Sequence, residues 1–129
     1  MHSPKDFGAL AADLERRFDT GVEPAWPERE FESLALATFA LQFEGLPSYR
    51  GFCEGRGRTP ATVSRWQDVP AVPATAFKHV EFIAAGFAAP EAVFLTGGTT
   101  RGHETRGRHL VPRLSLYRHA LLGPFRAHL

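Results

Sequence analysis

The segment richest in chemical potential is Val93-Phe94-Leu95-Thr96-Gly97-Gly98-Thr99-Thr100-Arg101-Gly102. An apolar run enters a stretch of glycine and threonine and ends beside an arginine. Glycines let the backbone approach an anion closely and turn successive N–H groups toward one concave side. The threonine hydroxyls add donors, and a guanidinium suits phosphate oxygens. Thr96, Gly97, Gly98, Thr99, Thr100, Arg101 and Gly102 are therefore the candidate phosphate-binding residues. The pattern lacks the Gly-Lys-Ser/Thr ending of a nucleotide-binding P-loop and the spaced three-glycine fingerprint of dinucleotide folds. The same residues also suit a plain hairpin in which Gly97-Gly98 is a two-residue turn between Phe94-Leu95 and the threonines.

Other reactive residue types carry less. His103-Glu104 and His109 have the spacing His-Glu-x-x-x-x-His, with Gly107 between them, so they cannot present two ligands on one helical face, and no metal site is assigned. Cys53 is the single cysteine. It follows Phe52 with no histidine close in sequence, which reads as a small buried apolar residue rather than a nucleophile. No catalytic side chain is assigned. The arginines after Thr96 do not interleave with Tyr117 and Phe125 as a nucleic-acid surface would require, and no DNA- or RNA-binding motif is present.

The elements that must position the loop follow from periodicity. Phe7, Leu10, Ala11, Leu14 and Phe18 predict a helix over 4–19, with Ser3 as cap and Pro4 in its first turn. A second helix starts after Trp26-Pro27, carries Phe31, Leu34, Ala35 and Phe39 on one face, and ends at Gly45 and Pro47. A short helical turn is expected over 49–54. Another short helix should open at Thr59-Pro60 and reach Trp66. Pro70 and Pro73 force an extended path, and 74–79 forms one helical turn. Strands are expected over 80–83, 91–95 and 109–111. A final helix follows Pro112, with Gly123-Pro124 interrupting it.

Composition bounds the rest. The 129 residues are 43% hydrophobic and 22% charged, ordinary for a globular domain. No apolar run approaches a membrane span, no secretory leader pattern opens the sequence, and a lone cysteine forms no internal disulfide, so the expected location is cytoplasmic with no membrane partner. Residues 1–60 carry 7 basic and 10 acidic side chains, whereas 61–129 carry 8 and 4. The basic half suits an anionic ligand such as phosphate, unless its arginines pair with the acidic N-terminal half.

Taken in order, several segments resemble one family. They are Phe31–Phe43, Tyr49-Arg50-Gly51-Phe52-Cys53, Trp66-Gln67-Asp68-Val69-Pro70-Ala71-Val72-Pro73, Ala76-Phe77-Lys78, the Thr96–Gly102 loop, Arg108-His109 and Leu116-Tyr117. This order resembles the N-terminal part of the LuxE-type acyl-protein synthetases, which are similar to the phenylacetate–CoA ligase branch of adenylate-forming enzymes. The resemblance covers about residues 30–125. Its most specific parts are the double-proline segment ending in Phe77-Lys78 and the Gly-Thr-Thr loop.

The resemblance implies a fold, a reaction and partners. The fold is α/β, or α+β, with residues 1–129 as N-terminal helices beside the first strands of a larger domain. The reaction joins a carboxylic acid, fatty in the first instance, to ATP with Mg²⁺. An acyl-adenylate forms and the acyl group then passes to a thiol, with an acyl-processing protein as a possible partner. Thr96-Gly97-Gly98-Thr99-Thr100 matches the family's Ser/Thr-Ser-Gly-Thr-Thr motif for the β- and γ-phosphates, with Gly97 where serine is commoner. The adenine pocket, the ribose-binding acid, the catalytic lysine and an acceptor cysteine belong to parts the resemblance does not cover, so this chain by itself is expected to be an inactive fragment. Two other readings are a CoA ligase of the phenylacetate type and a non-catalytic interaction module or inactive remnant.

Overall fold

A computed structural model describes residues 4–21, 25–83, 89–96 and 106–128. Among these residues the chain forms four α-helices and a two-stranded antiparallel sheet. This helix-rich arrangement is compatible with α/β or α+β architecture.

Helix α1 spans Phe7–Asp19 and is capped by Asp6, whose Oδ1 accepts the Ala9 N–H at 2.7 Å. The cap is thus Asp6, not Ser3, which lies outside the described residues. A carboxylate there also faces the positive end of the helix dipole. Helix α2 spans Glu28–Gly45, directly after Pro27 as the sequence predicts, and ends at an extended Leu46. Helix α3 spans Pro47–Gly55, longer than the turn expected, because Pro47 sits in its first turn, where a missing N–H costs nothing.

Two expectations fail in the middle of the chain. Thr59–Trp66 is not one helix. Thr62 and Val63 close a turn onto the Thr59 carbonyl, and a separate 3₁₀ turn covers Trp66–Asp68. Val80–Ile83 is not a strand, since its β-branched residues find no strand to pair with among the described residues. The 3₁₀ turn Ala74–Lys78 occupies the place expected for one helical turn.

Strand β1, Ala92–Leu95, pairs antiparallel with β2, Arg108–Val111, with Ala92 opposite Val111 and Leu95 opposite Arg108. Helix α4, Leu114–Ala127, runs through Gly123-Pro124 without interruption. Pro124 removes one N–H, yet its carbonyl still accepts the His128 N–H at 3.2 Å, so the last turn closes. Gly123 has a packing reason. A Cβ there would lie 3.0 Å from the Phe18 carbonyl oxygen of α1, so its absence lets α4 approach α1.

The core sits in the α2–α3 corner, where Phe39, Tyr49, Cys53 and Val63 are buried. Tyr49 donates its hydroxyl to the Pro70 carbonyl at 2.7 Å and so ties the double-proline segment to α3. Polar bonds fasten α4 to α1: Ser115 Oγ donates to Glu15 at 2.7 Å, and His119 Nδ1 lies 2.6 Å from an Asp19 oxygen. Among the described residues no helix is long and apolar enough to cross a membrane.

Candidate functional site

The candidate loop is closed by one strand pair. The Thr96 N–H donates to the Gly107 carbonyl at 2.9 Å, and the Gly107 N–H donates to Thr96 Oγ1 at 2.8 Å. Thr96 therefore faces Gly107. The partner strand of Phe94-Leu95 is Arg108-His109 and not the threonines of the expected hairpin, and Gly97-Gly98 lies outside the described residues. Of the candidate residues, Thr96 is described; Gly97, Gly98, Thr99, Thr100, Arg101 and Gly102 lie outside the described residues, as do His103 and Glu104.

Gly107 is a site residue that the sequence reading passed over. It is buried, and a Cβ on it would meet Thr96 Cγ2 at 3.1 Å and Phe77 Cβ at 3.4 Å. The strands can close this tightly only over a glycine. Thr96 Oγ1 is an acceptor in this pair, so its own O–H stays free to donate, and it finds no acceptor among the described residues.

Phe77, from the double-proline segment, packs under the same pair and lies tilted against the His109 ring at a centroid distance of 4.3 Å. His109 is thus a strand residue held by a ring contact. The Phe77-Lys78 segment and the glycine–threonine loop, far apart in sequence, meet at the foot of the hairpin.

Among the described residues no arginine of the basic half, Arg106, Arg108, Arg113, Arg118 and Arg126 included, forms an ion pair with a carboxylate of the acidic half. Arg108 pairs with Glu81 at 2.8 Å, inside its own half. Polar contacts between the halves include Ser115 with Glu15, His119 with Asp19, Tyr49 with Pro70 and the Arg58–Asp68 ion pair.

The other reactive groups are placed plainly. Cys53 is fully buried, and burial pushes its thiol above the ordinary range, outweighing the Tyr49 hydrogen bond and the nearby Arg56 charge. Burial and this upward shift both disfavour the thiolate that a nucleophile needs. Among the described residues no group of three His, Cys, Asp or Glu side chains could hold a metal. An apolar cavity of about 360 Å³ lies among α1, α2, Phe82-Ile83, β2 and α4. Leu10, Leu14, Phe82, Leu110 and Leu116 line it, with Arg113 contributing a cation. Leu110 stands three positions from Gly107 along the same strand segment, which places the cavity roughly 10 Å from the foot of the loop.

Comparison with protein-family models, with curated proteins and with solved structures finds no match for this chain.

Proposed function

We propose that this chain supplies the phosphate-binding hairpin of an enzyme that activates a carboxylic acid with ATP. The carrying observation is the Thr96–Gly107 pair, which anchors both ends of the glycine–threonine loop to a sheet and leaves the Thr96 O–H without a described acceptor. The surplus arginines and the apolar cavity beside β2 support the same reading: one suits the triphosphate, the other the chain of an apolar acid. The resemblance to LuxE-type synthetases supplies the reaction. The substrate carboxylate attacks the α-phosphorus of ATP, the bond to pyrophosphate breaks, and the acyl-adenylate then yields its acyl group to a thiol as AMP leaves. Mg²⁺ would arrive with the phosphates and offset their charge. This chain's part is to hold the β- and γ-phosphates in place, which is positioning and charge compensation.

Calorimetric titration of the chain with MgATP tests this. Saturable binding that Gly98→Ile abolishes supports the reading. No heat in the wild type at millimolar nucleotide, with the chain folded by circular dichroism, contradicts it.

A second reading, an interaction module, is favoured by a separate observation. Large apolar side chains of β1 and α4, among them Phe94, Leu95, Tyr117, Leu121 and Phe125, are exposed.

A further inference from the structure

Among the described residues the sheet has two strands and hence two edges without a further strand, and they differ. Thr96 and Gly107 form a hydrogen-bonded pair, so the alternation of an antiparallel ladder turns Phe94 and Ala92 toward β2 as well. The N–H and C=O groups of Val93 and Leu95 then point away from β2, along the free edge. That edge, Ala92-Val93-Phe94-Leu95, holds no charge, no proline and no glycine. The outer edge of β2 carries Arg108 and His109, with Arg108 held by Glu81. Charged residues are the ordinary guard of a strand edge, and β1 has none.

The unguarded edge borders an apolar face. Phe94 packs on Tyr117 at 5.7 Å, and Tyr117, Leu121 and Phe125 recur at helical spacing along the exposed side of α4. Val93, Phe94 and Leu95, three of the four residues of β1, are themselves exposed, so the apolar face runs from the helix onto the strand edge.

We propose that β1 pairs antiparallel with β1 of a second copy of this chain across a two-fold axis, Phe94 opposite Phe94 and Val93 opposite Leu95. A second copy fits because the edge complements itself: every outward N–H meets a carbonyl, and no like charges oppose. The Phe94 pair is a cross-strand aromatic pair, and the two Phe94–Tyr117 faces become one apolar layer. The resulting four-stranded sheet ends on β2 at both sides, where Arg108 and His109 stop further addition, so the assembly closes as a dimer instead of growing into a fibre. This rests on the interaction-module reading and not on nucleotide binding, so the MgATP titration and the experiment below fail independently.

Sedimentation velocity of the full chain over a concentration series is the test, with Val93→Pro as the central variant. Proline at 93 removes a donor that faces outward and leaves the bonds to β2 intact. The expected result is a species of twice the 14.2 kDa chain mass, with its dissociation constant raised at least tenfold by Val93→Pro. Leu95→Lys, which adds the missing edge charge, serves as the second variant should circular dichroism show Val93→Pro to be misfolded. A wild type that stays monomeric, one that forms larger polydisperse species, or a dimer indifferent to the folded edge variants would each overturn the proposal.

Discussion

Phe39 in α2 is 2% exposed, and Phe125 in α4 is 62% exposed. Both lie on helices with apolar periodicity, and the contrast extends to their neighbours. Around Phe39 the chain turns back twice, through α3 and through the double-proline segment, and Tyr49, Cys53 and Val63 close over it. Around Phe125 the chain provides α1 on one side of α4 and the edge of a two-stranded sheet near the other. The difference teaches that apolar patterning marks which faces seek cover, while connectivity decides which of them receive it. In this molecule the self-sufficient region holds the fold, and the open region carries the loop and the apolar face.

The sharpest way to break the comparison is to empty both sites. Phe39→Ala should cost about 3–5 kcal/mol, the usual loss for a buried phenylalanine. Phe125→Ala should change the unfolding free energy by no more than ~0.5 kcal/mol. Urea denaturation of both variants checks the pair, and equal losses would erase the distinction drawn here.

The next largest effect lies where the two regions join. Gly123→Val places side-chain atoms against the Phe18 carbonyl oxygen, with a Cβ at 3.0 Å. It should destabilise by roughly 1–3 kcal/mol, as overpacking does, and thermal unfolding measures it. Smaller still is Tyr49→Phe, which deletes the hydrogen bond to Pro70 and should cost about 1 kcal/mol in the same denaturation series.

The smallest effect concerns His119. The bond to Asp19 holds its pKa above the usual histidine range, despite some desolvation. A group raised in the folded state stabilises most below its unfolded pKa, and that contribution is lost as pH rises through the folded value. Wild type should therefore melt above His119→Gln near about pH 5, with the gap closing toward about pH 8. Melting curves at the two pH values decide this, and a gap that widens with pH would reverse the sign.

Much of the helical frame was legible. Pro27 and the Gly45-Leu46-Pro47 sequence bracket α2 because proline and glycine act locally, through backbone geometry alone. Burial of Cys53 followed from its apolar neighbours. What failed depended on distant partners. Val80–Ile83 has strand-like side chains but, among the described residues, no strand beside it. Gly97-Gly98 is a strong local turn signal, yet Thr96 pairs eleven residues away because Gly107 alone admits the close approach of Thr96 and Phe77. Gly107 itself resembles any loop glycine until that contact is seen. The exposed side of α4 reads as a core face from its spacing, and no local rule reveals that its cover is missing.

The claim on which the functional account turns is that Thr96–Gly102 holds phosphates. Amide ¹H–¹⁵N spectra of the full chain, recorded while MgATP is added, address it residue by residue. The account predicts saturable shifts concentrated at Thr96 to Gly102 and Gly107, all absent in folded Gly98→Ile. Shifts confined to other residues, or none at millimolar MgATP, would contradict it.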